Sequence, residues 1–195
     1  MQSFAQVATD AAALHAKLKK TIAAAQGFST NFSVVSGKRT ISGNVKAKRG
    51  NKFMMNFWER VVVCNGKTVW NYTPQTKSVV IGKYDESQQQ TNLETLLFTI
   101  LQKYAPAKLS RKVLSNGGRY DVLKLLPASA ADITSDIASI EIYLKPNTDI
   151  IRKLGVTIDR QTVIYDISNL KFLAAVSDSD FEFHPPKGTE TVDMR

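Results

Sequence analysis

The chain has 195 residues, 43% of them hydrophobic, and a net charge of +9 at neutral pH. This length predicts one domain over residues 1–195 with a sizeable core, and the single cysteine, Cys64, excludes an intramolecular disulfide. The basic residues are spread along the chain and form no known nucleic-acid motif, so we predict a basic surface without nucleic-acid binding. A basic domain associated with nucleic acid is the alternative from another functional class.

The first predicted element is an amphipathic helix over residues 4–26. Its apolar side chains recur at steps of three and four residues, which places them on one side of a helix. They are Phe4, Val7, Ala11, Leu14, Leu18 and Ile22. Gly27 is a natural stop. This end of the chain lacks the order of a signal peptide, so either the protein is cytoplasmic or a signal was removed.

A period of two replaces the helical period after Gly27. Residues 28–34 and 41–49 each place apolar side chains at alternate positions, and Gly37 with Lys38 predicts a turn between them. Such a pattern is typical of an antiparallel hairpin.

Arg49 does not fit the pattern of its strand. It falls on the same face as Val45 and Ala47, whereas Lys46 and Lys48 point the other way and are predicted to be solvated. A guanidinium beside an apolar face must find hydrogen-bond acceptors or lose much of its solvation energy. On pattern alone, the side chain could equally reach out to water.

The clearest hairpin lies around Asn65-Gly66. This dipeptide predicts a type I′ turn, because both residues adopt a positive φ at little cost. A further strand is predicted after Pro74, within residues 77–84.

A second helix is predicted over residues 91–104. Thr91 and Glu94 have the spacing of a capping box, and Pro106 ends the element. The apolar stripe of this helix is too wide for an isolated helix in water, so the helix must cover another surface. The stripe consists of Leu93, Leu96, Leu97, Ile100, Leu101 and Tyr104.

Strand patterns return after the second helix. They cover residues 110–115, 119–126, 137–145, 150–158, 162–172 and 181–184. The hairpins are regular and do not alternate with helices. The sequence therefore predicts a mainly β, α+β fold: an incomplete, strongly curved antiparallel β-barrel of about ten to eleven strands whose concave apolar face is covered by a helical lid.

Catalytic chemistry has little support in this sequence. The two histidines, His15 and His184, lie near no serine elbow or carboxylate cluster, and no nucleotide-binding or metalloprotease motif is present. We therefore predict a protein that is not an enzyme and has no cofactor or metal.

The apolar residues instead indicate a binding protein for a hydrophobic ligand, because concave apolar cavities are the usual ligand sites and methionine adapts its shape to variable ligands. The candidate ligand-binding residues are Phe53, Met55, Phe57, Trp70, Leu97, Ile100 and Leu101.

Four stretches, in order along nearly the whole chain, carry a family resemblance. They are GFSTNFSV (27–34), SGNVKAKRGNKFMMNF (42–57), VVCNGKTVWNYTPQTKSVVI (62–81) and DFEFHPPKGTETVD (180–193). The chain resembles the LolA-type periplasmic lipoprotein carriers of Gram-negative envelopes. The third and fourth stretches together are the most specific part of the resemblance.

The resemblance implies an incomplete barrel of about eleven strands whose cavity holds the acyl chains of a lipoprotein. It implies a monomer in the periplasm, with its signal peptide removed and no stable membrane insertion. Its partners would be acylated lipoproteins, an inner-membrane lipoprotein-releasing ABC complex and an outer-membrane acceptor. A related half-barrel that binds or senses another lipid is the alternative.

The resemblance also assigns roles to two residues. Arg49 matches the arginine that hydrogen-bonds lid carbonyls and holds the empty cavity shut, and Phe53 matches a phenylalanine near the cavity mouth. The family pattern has proline where this chain has Gly50, so the turn after Arg49 is expected to differ.

Overall fold

The structure is a computed structural model that describes residues 4–85, 93–115, 117–129 and 137–195. The chain begins with helix α1, Phe4–Ala24, close to the predicted 4–26. Six strands follow: β1 (Gly27–Ser36), β2 (Arg39–Lys48), β3 (Lys52–Phe57), β4 (Arg60–Asn65), β5 (Thr68–Thr73) and β6 (Ser78–Lys83).

The predicted second helix is a composite of three short pieces. They are α2 (Leu93–Thr95), a π-helical turn (Leu96–Ile100) and α3 (Leu101–Lys103). Thr91, the predicted cap, lies outside the described residues. The chain enters a strand at Tyr104, so the helix ends before Pro106.

The second half of the sheet comprises β7 (Tyr104–Val113), β8 (Arg119–Pro127), β9 (Ile137–Leu144), β10 (Ile151–Ile158), β11 (Gln161–Leu173) and β12 (Glu190–Asp193). The strands form one sheet in the order β12-β6-β5-β4-β3-β2-β1-β11-β10-β9-β8-β7. The pairings are antiparallel except that of β12 with β6, which is parallel. The sheet is open, with β12 and β7 as its edges, and its twelve strands are close to the predicted number.

The concave face of the sheet carries the main core. Phe28, Ala47, Phe53 and Cys64 lie in register across β1 to β4 and are all buried. Side chains from α1 and from α2 and the π-helical turn pack on this row, among them Ile22. We call α1 together with residues 93–103 the lid. The predicted helical cover on a concave apolar face is confirmed.

The convex face is crossed by the C-terminal segment, residues 174–193. The strand predicted at 181–184 is wrong: the chain forms a 3₁₀-helix over Asp178–Phe181, and the last strand is β12. Phe181 is completely buried, so this segment is part of the core rather than a loose tail. The segment leads the chain from β11, in the middle of the sheet, to β6, near its edge.

Three lysines hold the C-terminal segment on the sheet. Lys46 Nζ lies 2.9 Å from a carboxylate oxygen of Asp180. The Asp178 carboxylate forms ion pairs with Lys48 Nζ at 2.5 Å and with Lys52 Nζ at 2.8 Å. The prediction that Lys46 and Lys48 are merely solvated is therefore wrong. Their outward direction is correct, but the face they point to is occupied by an acidic segment that is distant in sequence.

The hairpin turns differ in how well the sequence predicts them. Gly37 has a φ of +61° and forms the predicted two-residue turn with Lys38. At Asn65-Gly66 only Gly66 has a positive φ, so the type I′ prediction is wrong. The Asn65 side chain instead accepts hydrogen bonds from the backbone N–H groups of residues 67 and 68, which closes a longer loop.

We expect attachment of the C-terminal segment to weaken in acid. Hydrogen bonds from Lys48 and then Lys52 lower the pKa of Asp178 from 3.8 to about 2. A lowered pKa stabilises the folded state above the unfolded value, and this contribution is lost as the pH falls through about 2. The Met194 N–H, directly after the C-terminal segment, donates to the Ile81 carbonyl of β6. Its protection against amide exchange, corrected for intrinsic rates, should therefore fall between about pH 5 and about pH 2.

The matched variant for this experiment is Asp178→Asn, which removes the titrating carboxyl. Its amide exchange should be fast at both ends of the pH range, once corrected for intrinsic rates. An identical pH response in the variant and the parent protein would show that other groups control the segment.

Candidate functional site

Arg49 lies directly after β2, at the point where the sheet meets the end of α1. Its backbone N–H donates to the Gln26 carbonyl at 3.1 Å, and its side chain is half-buried. The alternation of β2 continues through it, so the guanidinium points to the concave side, as the sequence predicts.

The guanidinium is hydrogen-bonded to the C-terminal end of α1. Nε donates to the Ala25 carbonyl at 3.0 Å, and Nη2 donates to the Ile22 carbonyl at 2.7 Å. The last carbonyls of a helix lack partners within the helix, and the helix dipole makes this end negative. A cation is therefore stabilised at this end of the helix. The guanidinium gains hydrogen-bond acceptors, and the Ile22 and Ala25 carbonyls gain a donor.

Arg49 also contacts the other half of the lid. Its Cζ lies 4.5 Å from the centroid of the Phe98 ring, within the range of a cation–π interaction. Phe98 in turn packs on Phe28 of β1, with ring centroids 5.4 Å apart. One side chain thus joins α1, the π-helical turn and the rim of the sheet. Phe98 was not predicted as a site residue, because it lies beside the predicted stripe of its helix.

Four of the predicted ligand-binding residues share the concave face. Phe53, Met55 and Phe57 alternate along β3 and belong to the concave core, with Phe53 only 2% exposed. Leu97, from the π-helical turn, is buried in the same cluster. The side chains of the other two lid residues of the prediction, Ile100 and Leu101, lie outside the described part of the chain.

Trp70 is on the opposite face of the sheet from these four residues, so it does not line the concave side. It pairs with Val63 and Ile81 across β4 to β6, one position away from the concave row. There it packs in a second cluster with Tyr72 and Phe183, the latter from the C-terminal segment.

Cys64 lies beneath the lid, opposite Phe53 in the register of β3 and β4. It is completely buried, and burial, followed by the nearby Glu94 carboxylate, raises the pKa of its thiol from 9.0 to about 11 despite a hydrogen bond from the Gly66 backbone. The thiol is unreactive while the lid is closed, because the thiolate is the reactive form.

The far half of α1 is attached by a weaker contact. Lys17 contacts Asp149 at 2.9 Å, beside a polar groove of about 650 Å³ between α1, β7, β8 and the β9–β10 turn. Both side chains are largely exposed, and exposed ion pairs contribute at most about 1 kcal/mol. The contact at Arg49 is the less exposed of these two attachments of α1.

The turn after Arg49 explains the departure from the family pattern. Gly50 has a φ of +89° and Asn51 a φ of +61°. Proline is fixed near a φ of about −65°, so it does not fit this turn at residue 50. The neighbouring β4–β5 loop packs closely on it, since a Cβ added at Gly66 would lie 2.6 Å from the Gly50 carbonyl oxygen.

Restoring the family proline should therefore destabilise this protein. We expect Gly50→Ala to lower the free energy of unfolding by about 1 kcal/mol, the cost of a left-handed residue, since open space surrounds the position. Gly50→Pro should cost more, because its φ is incompatible with the turn. Urea unfolding of both variants measures the difference, and proline tolerated as well as alanine would contradict the geometry.

Comparisons with known proteins agree with this architecture. The profile of the outer membrane lipoprotein carrier protein family, LolA, matches residues 23–184. The outer-membrane lipoprotein carrier protein of Vibrio parahaemolyticus is 29% identical, over 96% of this chain and 89% of that protein. The carrier protein of Haemophilus influenzae (strain ATCC 51907) is 28% identical, over 97% of this chain and 89% of the relative.

Solved structures show the same fold at low sequence identity. An uncharacterized conserved protein from Thermus thermophilus superposes with a TM-score of 0.54 at 13% identity, covering 94% of this chain and 99% of the other. LprF from Mycobacterium bovis gives a TM-score of 0.50 at 10% identity, covering 88% and 96%. Among the described helices, none has the length and hydropathy to cross a membrane. With most of its length matched by the family profile, the chain belongs to the LolA family of outer membrane lipoprotein carrier proteins.

Proposed function

We propose that the protein is a soluble periplasmic carrier that binds the acyl chains of lipoproteins on its concave face and ferries them from the inner to the outer membrane. Family membership supports the class of cargo. The observation that carries the mechanism is Arg49, which ties both halves of the lid to the rim of an apolar face. In this account Arg49 is a latch, meaning that its contacts favour the closed lid.

Loading is an exchange of one apolar occupant for another. In the closed state, side chains of the lid such as Ile22, Leu97 and Phe98 fill the concave face. An acyl chain takes their place against Phe53 and Met55 when the lid moves away. Bound cargo and the closed lid then compete for the same surface.

The magnitudes make this exchange reversible. Burying an acyl chain of about fifteen methylene groups contributes roughly 12 kcal/mol, at about 0.8 kcal/mol each. Exposing three large apolar lid residues costs roughly 5–9 kcal/mol, and breaking two hydrogen bonds to a charged group costs roughly 3–6 kcal/mol. Because the opposing terms are of similar size, the carrier can accept and surrender cargo without chemistry of its own.

The proposed partners follow from this balance. An inner-membrane lipoprotein-releasing ABC complex would supply the cargo. Extracting acyl chains from a bilayer requires an energy source, and the proposal gives this role to the complex and not to the carrier. An outer-membrane acceptor with higher affinity would then take the cargo.

The carrier proposal is tested by exporting the tagged protein to a bacterial envelope and purifying it from the periplasm. We expect acylated lipoprotein to co-purify and to be identified by mass spectrometry of its lipidated N-terminus. Co-purification of free lipid alone would instead favour a related half-barrel for another lipid. Recovery of neither acylated lipoprotein nor free lipid, with no binding of an acylated peptide by the purified protein, would overturn both.

The latch is tested with Arg49→Leu. Loss of about 2 kcal/mol of closure should raise the open population and tighten acylated-peptide binding about tenfold or more, with slower release. Arg152→Leu, an exposed arginine on β10, is the matched control and should bind as the parent does. Equal affinity and release in the two variants would remove the latch.

Cys64 provides an independent readout of opening. Its buried thiol should resist alkylation in the parent protein at about pH 8, because thiolate formation is suppressed and access is closed. Arg49→Leu should accelerate alkylation of Cys64 more than its effect on the free energy of global unfolding can explain. An unchanged alkylation rate would mean that the lid does not open through Arg49.

A further inference from the structure

Trp58 is an exposed aromatic residue at the end of the sheet opposite to Arg49. It occupies the first position of the two-residue turn between β3 and β4, where Phe57 pairs with Arg60. Its side chain is 58% exposed. Its φ is +49°, in the left-handed region that bulky residues rarely adopt.

The neighbouring β1–β2 hairpin has a residue better suited to this turn position. The β1–β2 hairpin has glycine at the equivalent position, Gly37, which also has a positive φ. Glycine is preferred there because turns with a positive φ at the first position strain any side chain. A tryptophan that is strained and 58% exposed contributes little to the core, and strained residues cluster at functional sites, so Trp58 is a candidate for contact with something outside the protein.

The surroundings of Trp58 are basic. The described turns at this end of adjacent strands are β1–β2, β3–β4, β5–β6 and β10–β11. Their charged side chains are Lys38, Arg39, Glu59, Arg60, Lys77, Asp159 and Arg160, five basic against two acidic. Exposed aliphatic side chains lie near the same end, with Val35 67% exposed and Val163 and Ile164 more than one third exposed. We call this set the basic apolar rim.

A groove connects the rim to the concave face. It has a volume of about 1070 Å³ and is lined by Arg39, Phe57, Trp58, Arg60 and their neighbours. Phe57 forms the inner end, because it also packs against the concave core. An apolar surface that contacts the basic apolar rim from outside would therefore lie next to a groove that leads to the proposed acyl-binding face.

We propose that the basic apolar rim docks on the surface of an anionic phospholipid bilayer, with Trp58 inserted at the level of the headgroups. Tryptophan prefers this interface because its ring is apolar and its indole N–H is polar. Lysine and arginine side chains near an anionic leaflet are each attracted to it. This docking rests on the proposed carrier function. It would place the groove against the membrane that donates or accepts the acyl chain.

The contact is interfacial and reversible rather than spanning. One tryptophan and a few aliphatic side chains insert little apolar surface, and the basic side chains add a salt-sensitive attraction. The single acidic residue of the turn, Glu59, opposes this attraction and limits its strength. An acidic protein partner would use the same charges without needing an apolar environment for Trp58.

The test uses the full chain with Trp70→Phe, which leaves Trp58 as the single tryptophan. We expect a blue shift of its emission, and sedimentation of the protein, with vesicles of phosphatidylglycerol and phosphatidylethanolamine but not with phosphatidylcholine vesicles. No shift with anionic vesicles, or sedimentation without a shift, would overturn the insertion of Trp58.

The paired variants assign the contact to the rim. Trp58→Gly should preserve or raise the thermal midpoint, because it relieves the strained turn, while weakening vesicle binding about tenfold. Arg39→Ser and Arg60→Ser should each weaken it about fivefold at low salt. Val113→Ser, an equally exposed apolar position in the β7–β8 hairpin at the other end of the sheet, should have no effect. Equal vesicle binding by Trp58→Gly and the parent would overturn the proposal.

Failure here is distinguishable from failure of the carrier proposal. Acylated-peptide binding in vesicle-free solution should be unchanged by Trp58→Gly. A protein that binds the peptide but not vesicles contradicts rim docking alone, whereas one that binds vesicles through Trp58 but no acylated peptide contradicts the carrier proposal alone.

Discussion

The structure depends on one mutual requirement between Arg49 and the end of α1. A half-buried guanidinium beside an apolar face needs acceptors, and the last carbonyls of a helix need donors. The hydrogen bonds to Ile22 and Ala25 satisfy both at once. Because the same guanidinium stacks on Phe98, the interaction that satisfies these groups also determines where both parts of the lid meet the sheet.

The contacts of Arg49 join the lid to one edge of the concave face. The lid also contributes several buried side chains to the apolar core, and the distant Lys17–Asp149 pair is exposed. Apolar contacts can be exchanged for acyl chains at similar cost, whereas directional hydrogen bonds are either made or lost. The proposed latch would give a packed closed state that can still open.

Local periodicity predicts the apolar side of β2. Alternation places Arg49 on the side of Val45 and Ala47, and in the structure the candidate residues Phe53, Met55 and Phe57 of β3 share that side. Trp70 lies on the other face, because β5 carries apolar residues on both faces and only one face is concave. The sequence also mispredicts a strand at residues 181–184 and solvated side chains at Lys46 and Lys48. These two errors have the same origin.

That origin is tertiary packing between distant parts of the chain. The segment carrying Asp178 and Phe181 covers the convex face, and nothing local in β5 or in the lysines of β2 indicates this partner. The alternation of Phe181 and Phe183 suggested a strand, but their role is to fill a second cluster behind β4 to β6. Gly50 in place of the family proline predicts that the turn after Arg49 differs from the family pattern. The left-handed φ of this turn is visible only in the structure.

In the proposed mechanism, acyl chains occupy the concave face in place of the lid side chains. Photocrosslinking with an acylated peptide that carries a diazirine along its acyl chain, followed by mass spectrometric mapping, tests this placement. We expect crosslinks to Phe53 and Met55 that unlabelled acylated peptide competes away. Competable crosslinks to the convex cluster around Trp70 and Tyr72, with none on β3, would contradict it.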